Sequence, residues 1–225
     1  MTGLSFILPR DKLIDRCASN VIFEEYGRND LEKIAKINPQ SLHGIAANVW
    51  NRIVFKRWHP VNPLQFARYF KTSDPLLHQA ISDFLRVEVI RDIYYVKGWK
   101  TQKRKSNLIV EMLVAWVYRN DLQLADITFI NPEIPIPNGQ QRFSCQTHKG
   151  FGLLPTLLSN LQYYAEQLGC EQLTLTAAML DQVGLFTRYG FTVEDSQSGR
   201  MAMALGAGIP MERNVRGSVQ NSSDF

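Results

Sequence analysis

Cysteine is scarce in this chain, and a membrane-crossing run is missing from it altogether. Three cysteines, Cys17, Cys145 and Cys170, occur in 225 residues. An odd, widely separated set forms neither a disulfide framework nor a zinc-ligand spacing, so reduced thiols and no metal are expected. No apolar run approaches the roughly eighteen residues that cross a bilayer. The stretch 4–8 is too short for the apolar core of a signal peptide, so no membrane partner and a cytoplasmic location are expected. No internal repeat or low-complexity tract occurs. Neither sign of charge dominates: 25 Lys and Arg against 21 Asp and Glu leave +4, which permits an acidic partner without demanding one. With 45% apolar residues, the chain is expected to fold around one core, or one core with a helical appendage.

What is present centres on Thr147-His148-Lys149-Gly150-Phe151-Gly152-Leu153, a glycine-spaced turn that opens into a helix. The first turn of a helix has amides without intrahelical acceptors and the positive end of the macrodipole, so it attracts phosphate oxygens. Gly150 and Gly152 allow close approach of the backbone to a ligand. Leu154, Leu157, Leu158, Leu161, Ala165 and Leu168 then recur at steps of three and four, a helical stripe that Gly169 ends. Pro155 falls in the first turn, where its missing N–H is tolerated. Leu173, Leu175 and Ala177 alternate with threonines as a strand does. A short helix carrying Met179, Leu180, Val183 and Phe186 stops at Gly190. Phe191 and Val193 open a further strand, expected to resume as Met201, Met203 and Leu205 after a polar turn at 196–199. A Rossmann turn is the nearest competitor, but its third glycine falls on Pro155.

This order of elements resembles the C-terminal half of the GNAT N-acetyltransferase superfamily over about residues 143–205. That family's loop usually reads Gln/Arg-x-x-Gly-x-Gly/Ala and wraps the pyrophosphate of acetyl-CoA. Both glycines match here, with Thr147 in the leading position. The Gly-Phe that closes the family's short helix is Gly190-Phe191, but the tyrosine four residues before it is Phe186. The resemblance implies a mixed α/β (α+β) sheet with a GNAT-like acyl-CoA-binding fold, and an acyl-CoA-dependent N-acyltransferase using acetyl-CoA or another acyl-CoA. Thr147, His148, Lys149, Gly150, Phe151, Gly152 and Leu153 would then contact the cofactor. The alternative is a non-catalytic GNAT-like binding or regulatory module, which Phe186 and Thr147 favour.

Upstream, residues 11–86 read as successive helices. Leu42, Ile45, Ala46, Val49 and Ile53 form the clearest stripe, with Ser41 as N-cap. Asn62-Pro63 and Asp74-Pro75 each suggest a helix start. Residues 87–96 read as a strand, 108–118 as strand or helix with strand preferred, 126–130 as a strand and 131–139 as an irregular loop. Residues 142–146 are expected as the strand entering the glycine turn, diverging from 172–177. The expected division is therefore 1–86, a helical region for recognition or oligomerisation, 87–210, the acyltransferase core, and 211–225, a tail. A homodimer fits that first region. Lys97, Lys100, Lys103, Arg104 and Lys105 cluster around Trp99, a pattern that can hold nucleic acid, with a solvated loop as the plainer reading.

Acyl transfer to an amine needs a proton acceptor for the amine and a partner for the departing thiolate. Glu111 and Glu133 are the candidate bases, and His148 titrates in the right range but sits in the cofactor turn. With Phe186 unable to protonate a thiolate, Tyr189 and Cys145 are the remaining candidates, each with packing as the plainer role.

Overall fold

The computed structural model describes residues 3–17, 20–55, 90–118, 120–139 and 150–215. The expected starts at Asn62 and Asp74, the strand at 142–146, and residues 216–225 lie outside them. After a 3-10 segment, Gly3–Ile7, come α1 (Arg10–Arg16), β1 (Val21–Tyr26), α2 (Leu31–Ile37), α3 (Pro39–Phe55), β2 (Ile90–Lys100), β3 (Leu108–Val117) and β4 (Asp121–Phe129). Then follow α4 (Leu153–Gln167), β5 (Gln172–Met179), α5 (Leu180–Thr187), β6 (Thr192–Val193), α6 (Gln197–Leu205) and β7 (Ala207–Asn214). The strands form one mixed sheet in the order β1-β2-β3-β4-β5-β7-β6, the α/β class expected. All neighbouring strands are antiparallel except β4 and β5.

Two cores flank the sheet. On the first face Leu157, Leu158, Leu161 and Ala165 of α4 pack on Leu122, Leu124, Leu173 and Leu175, joined by Leu4, Ile7, Leu8 and Leu13 from the N-terminal segment. On the second face Leu31 and Ile34 of α2 and Leu42, Ile45, Ala46 and Val49 of α3 cover Ile93, Tyr95, Leu113, Ala115 and Val117. The second face is also pinned by charge. Arg52 of α3, 3% exposed, meets Asp121, Glu194 at 3.4 Å and Glu212 at 3.0 Å, and donates to Gln172 at 2.8 Å.

Five sequence expectations are corrected. Residues 21–26 are a strand, paired along their whole length with β2; Glu25, which reads as polar surface, is exposed on it and pairs with Arg10 at 2.7 Å. Residues 1–86 are thus not a purely helical region, and their first residues share the main core. Ser41 lies inside α3, and its amide instead donates to Asn38 Oδ1 at 3.2 Å. Strand β4 begins at Asp121 rather than 126, since Asp121 and Gln123 face the second side of the sheet. Residues 197–205 are a helix: Ser196 Oγ accepts from the Gly199 amide at 3.0 Å and Gly206 ends it at φ +73. Its Met201, Met203 and Leu205 are exposed, so their alternation is not that of a buried strand. Finally, 211–214 belong to β7, whose Glu212 and Arg213 look like tail residues but bind Arg52 and the Tyr189 carbonyl.

Candidate functional site: a parted sheet facing a helix N-terminus

Strands β4 and β5 pair from Asp121↔Gln172 to Leu124↔Leu175 and no further. Both run on, β4 to Phe129 beside β3 and β5 to Met179 beside β7. The parting coincides with a bulge: Leu113 opposes Asp126 and Val114 opposes Leu124, leaving Ala125 as the extra residue of β4, and a bulge bends the strand that carries it. Strand β4 thus diverges from β5 past this point, while 142–146, the strand expected to do so, lies outside the described residues. Among the described residues, the β5-facing backbone edge of β4 has no strand partner beyond Ala125.

Helix α4 crosses between these two parallel strands, so it runs against them and starts at the end where they have separated. Its N-cap, Gly152, is left-handed at φ +69, and Gly150 has φ +79 with nothing within 4 Å of where a Cβ would sit. The turn therefore needs glycine for its backbone and leaves space above it. Leu153 is buried in the core, so only its backbone is available to a ligand, whereas Phe151 is exposed. Thr147, His148 and Lys149 lie outside the described residues, as does Cys145. One cation at this turn was illegible in the sequence. Lys12 of α1 donates to Thr156 Oγ1 at 2.6 Å and its Nζ lies 3.6 Å from a Cβ built on Gly152.

Past the bulge, the second face carries titratable groups. Glu111 accepts from the Tyr95 hydroxyl and lies 3.4 Å from Lys97. Asp126, which sequence reasoning missed, accepts from Asn38 Nδ2 at 3.1 Å and Ser41 Oγ at 3.4 Å. Burial holds its carboxyl above the ordinary range, with the Glu111 charge adding to the rise and the Asn38 bond opposing it. The Tyr95 hydroxyl is pushed up by burial and by Glu111, so it stays a proton donor.

The other candidates are placed elsewhere. Phe186 is in the core, edge-on to Phe191 with ring centroids 6.2 Å apart. Tyr189 packs against the same core, and its carbonyl accepts from Arg213 at 2.6 Å. Glu133 is exposed and paired with Lys100. Lys97, Lys100 and Lys103 each meet a carboxylate, Glu111, Glu133 and Glu24, and Lys103 also caps the Trp99 ring at 5.7 Å. These pairings break up the basic stripe that a nucleic-acid surface would need. Among the described residues no cluster suited to a metal occurs, and no helix is long and apolar enough to cross a membrane.

No family model matches the chain, and no curated protein matches it. Among solved structures the chain is similar to N-acetyltransferases of the GNAT superfamily. An acetyltransferase of the GNAT family from Staphylococcus aureus is 11% identical, covering 88% of this chain and all of that one at a TM-score of 0.39. PaiA N-acetyltransferase from Thermoplasma acidophilum, solved with coenzyme A, is 14% identical over 87% of this chain and 99% of that one, at 0.34. Nourseothricin acetyltransferase is 17% identical over 55% of this chain, which spans 66% of its length, at 0.35.

Proposed function

We infer that the protein is an acyl-CoA-dependent N-acyltransferase, with acetyl-CoA as the donor. The observation that carries this reading is the conjunction of the parted β4 and β5 with the glycine-opened start of α4 at the open end of the part. An acyl-CoA supplies an activated thioester at the end of an amide-bearing arm attached to a pyrophosphate. The edge at 125–129, unpaired on its β5 side among the described residues, suits the arm, since amides add to a free strand edge as another strand would. The amides at the start of α4, with Gly150, Phe151, Gly152 and Leu153 and the residues 147–149 before them, suit the phosphates, and Lys12 adds a point charge.

The first face is filled by α4 and the N-terminal segment, so the acceptor amine approaches the parted strands from the second. There Glu111 and Asp126 are placed to take its proton, Asp126 being the better base once ionised because its raised pKa brings it nearer the working range. The amine nitrogen then bonds to the thioester carbon, the C–S bond breaks and the thiolate takes up a proton. Phe186 supplies none. Isothermal titration tests the reading. Acetyl-CoA should bind the wild type, and Gly152→Glu should abolish binding by putting a carboxylate and a strained φ where phosphate would lie. A wild type that binds no short acyl-CoA would sink the assignment.

A further inference from the structure

Asn38 is the single residue between α2 and α3, and it joins that corner to β4. Its backbone amide closes α2 on the Ile34 carbonyl at 2.8 Å. Its Oδ1 opens α3 by accepting from the Ser41 amide at 3.2 Å, the bond an N-cap makes. The other end of the same carboxamide, Nδ2, donates to Asp126 Oδ2 at 3.1 Å, and Ser41 Oγ reaches that same oxygen at 3.4 Å. A carboxylate accepts and does not donate, so only this orientation of the carboxamide satisfies both neighbours. The corner therefore grips Oδ2, and neither of its side-chain donors touches Oδ1.

We propose that Asn38 is a positioning residue of the acyl-transfer site, holding Oδ2 of Asp126 from the α2–α3 corner so that Oδ1 is the oxygen that takes the amine's proton. The inference rests on the acyl-transfer reading. Opposed influences meet on this carboxyl: burial pushes its pKa up, the Asn38 bond pulls it down, the Glu111 charge on β3 pushes it up and the Ser41 bond pulls it down. The nearby groups of β2, Tyr95 and Lys97, bind Glu111 rather than Asp126. Among the described residues the lowering thus comes from neutral donors, of which Asn38 is the strongest. Without it Asp126 would keep its proton further into the working range, and a protonated carboxyl takes none from an amine.

The test uses the whole chain carrying carboxyl-labelled aspartate, with the Asp126 carbon resonance identified by its loss in Asp126→Asn. Asn38→Ser retains an N-cap for α3 and removes the carboxamide donor. Its Asp126 titration midpoint should lie about one pH unit above wild type, the scale of one hydrogen bond to a charged group. Ser41→Ala should move the midpoint less and in the same direction, and carries the comparison if Asn38→Ser does not fold. Thiol release from acetyl-CoA, to n-butylamine or to water, should lose its acid limb at correspondingly higher pH with the acetyl-CoA KM unchanged. A wild-type midpoint with a lowered Tm in Asn38→Ser would make Asn38 a helix cap alone and overturn the proposal. A moved midpoint with an unmoved acid limb overturns it too, as does a wild type that binds acetyl-CoA and releases no thiol, because Asp126 is then not the base. Failure of acetyl-CoA to bind would instead overturn the acyl-transfer reading, while the midpoints would still show whether the corner holds the carboxylate.

Discussion

The two faces of the sheet are built from different physics. Where α4 crosses, the first face is a continuous apolar contact: Leu157, Leu158 and Leu161 meet Leu122, Leu124, Leu173 and Leu175. The second face begins as an apolar layer under α2 and α3 but is interrupted by Arg52 with its carboxylates, then by Gln123, Asp126 and Glu111. Packing of the first kind holds a frame in place with few polar obligations. Buried polar groups of the second kind cost desolvation, and they persist where specificity or chemistry requires them. In the proposed function the first face holds the helix whose start suits phosphate, and the second receives the acceptor.

The sharpest way to break that division is Asp126→Asn. In the proposed role its loss should lower turnover by about a hundredfold to ten-thousandfold, with acetyl-CoA affinity unchanged in titration. Stability should move the other way. Because burial raises the folded pKa of Asp126 above its ordinary 3.8, the folded state binds the proton more tightly than the unfolded one. The wild type therefore loses stability as pH rises from 3.8 through the raised value, and the variant does not. Glu25 on the first face provides the opposite sign. Its bond from Arg10 holds it below its ordinary 4.5, so its contribution is present above 4.5 and disappears as pH falls through the folded value. Urea midpoints of Asp126→Asn and Glu25→Gln against wild type across this range should therefore diverge in opposite directions. Parallel profiles would mean the two faces do not differ in this way.

Stability itself offers a second contrast. Arg52→Leu removes the cation from a buried carboxylate cluster and should cost about 3–5 kcal/mol. Leu161→Ala opens a cavity on the first face and should cost about 2–5 kcal/mol. Chemical denaturation reads both, and salt separates them. The Arg52 site is too buried for strong screening, so neither penalty should change greatly between low and moderate salt. A large salt dependence for Arg52→Leu would mean that the cluster is wetter than its 3% exposure implies.

This difference between faces also explains what the sequence made legible. Helix α4, β5 and α5 were readable because each carries an uninterrupted apolar period set against polar positions. Strands β1 and β7 were not, since Glu25, Glu212 and Arg213 are charges spent on internal partners, and period-two reading takes charge as surface. The exposed Met201, Met203 and Leu205 misled in the reverse sense, being apolar residues on a solvent side. For the site, the Gly150 to Gly152 turn is local and could be read. Lys12 reaches it from 144 residues away, and Asp126 acquires meaning only through the bulge at Ala125, which no local pattern announces.

The smallest expected effect concerns Tyr189, which the sequence offered as a donor to the departing thiolate because it is the phenol nearest Phe186. Three residues apart on a helix leaves side-chain directions roughly 60° apart, close enough for a substitute. The structure gives its backbone and its ring other work: the carbonyl holds Arg213 at 2.6 Å, and the ring packs against the first core. Phenylalanine keeps that packing and loses only the hydroxyl, so Tyr189→Phe should leave turnover within about twofold of wild type, far less than the hundredfold or more expected on loss of a general acid. A fall of that larger size, with acetyl-CoA affinity unchanged, would place part of the chemistry on the first face and undo the division of labour between the two.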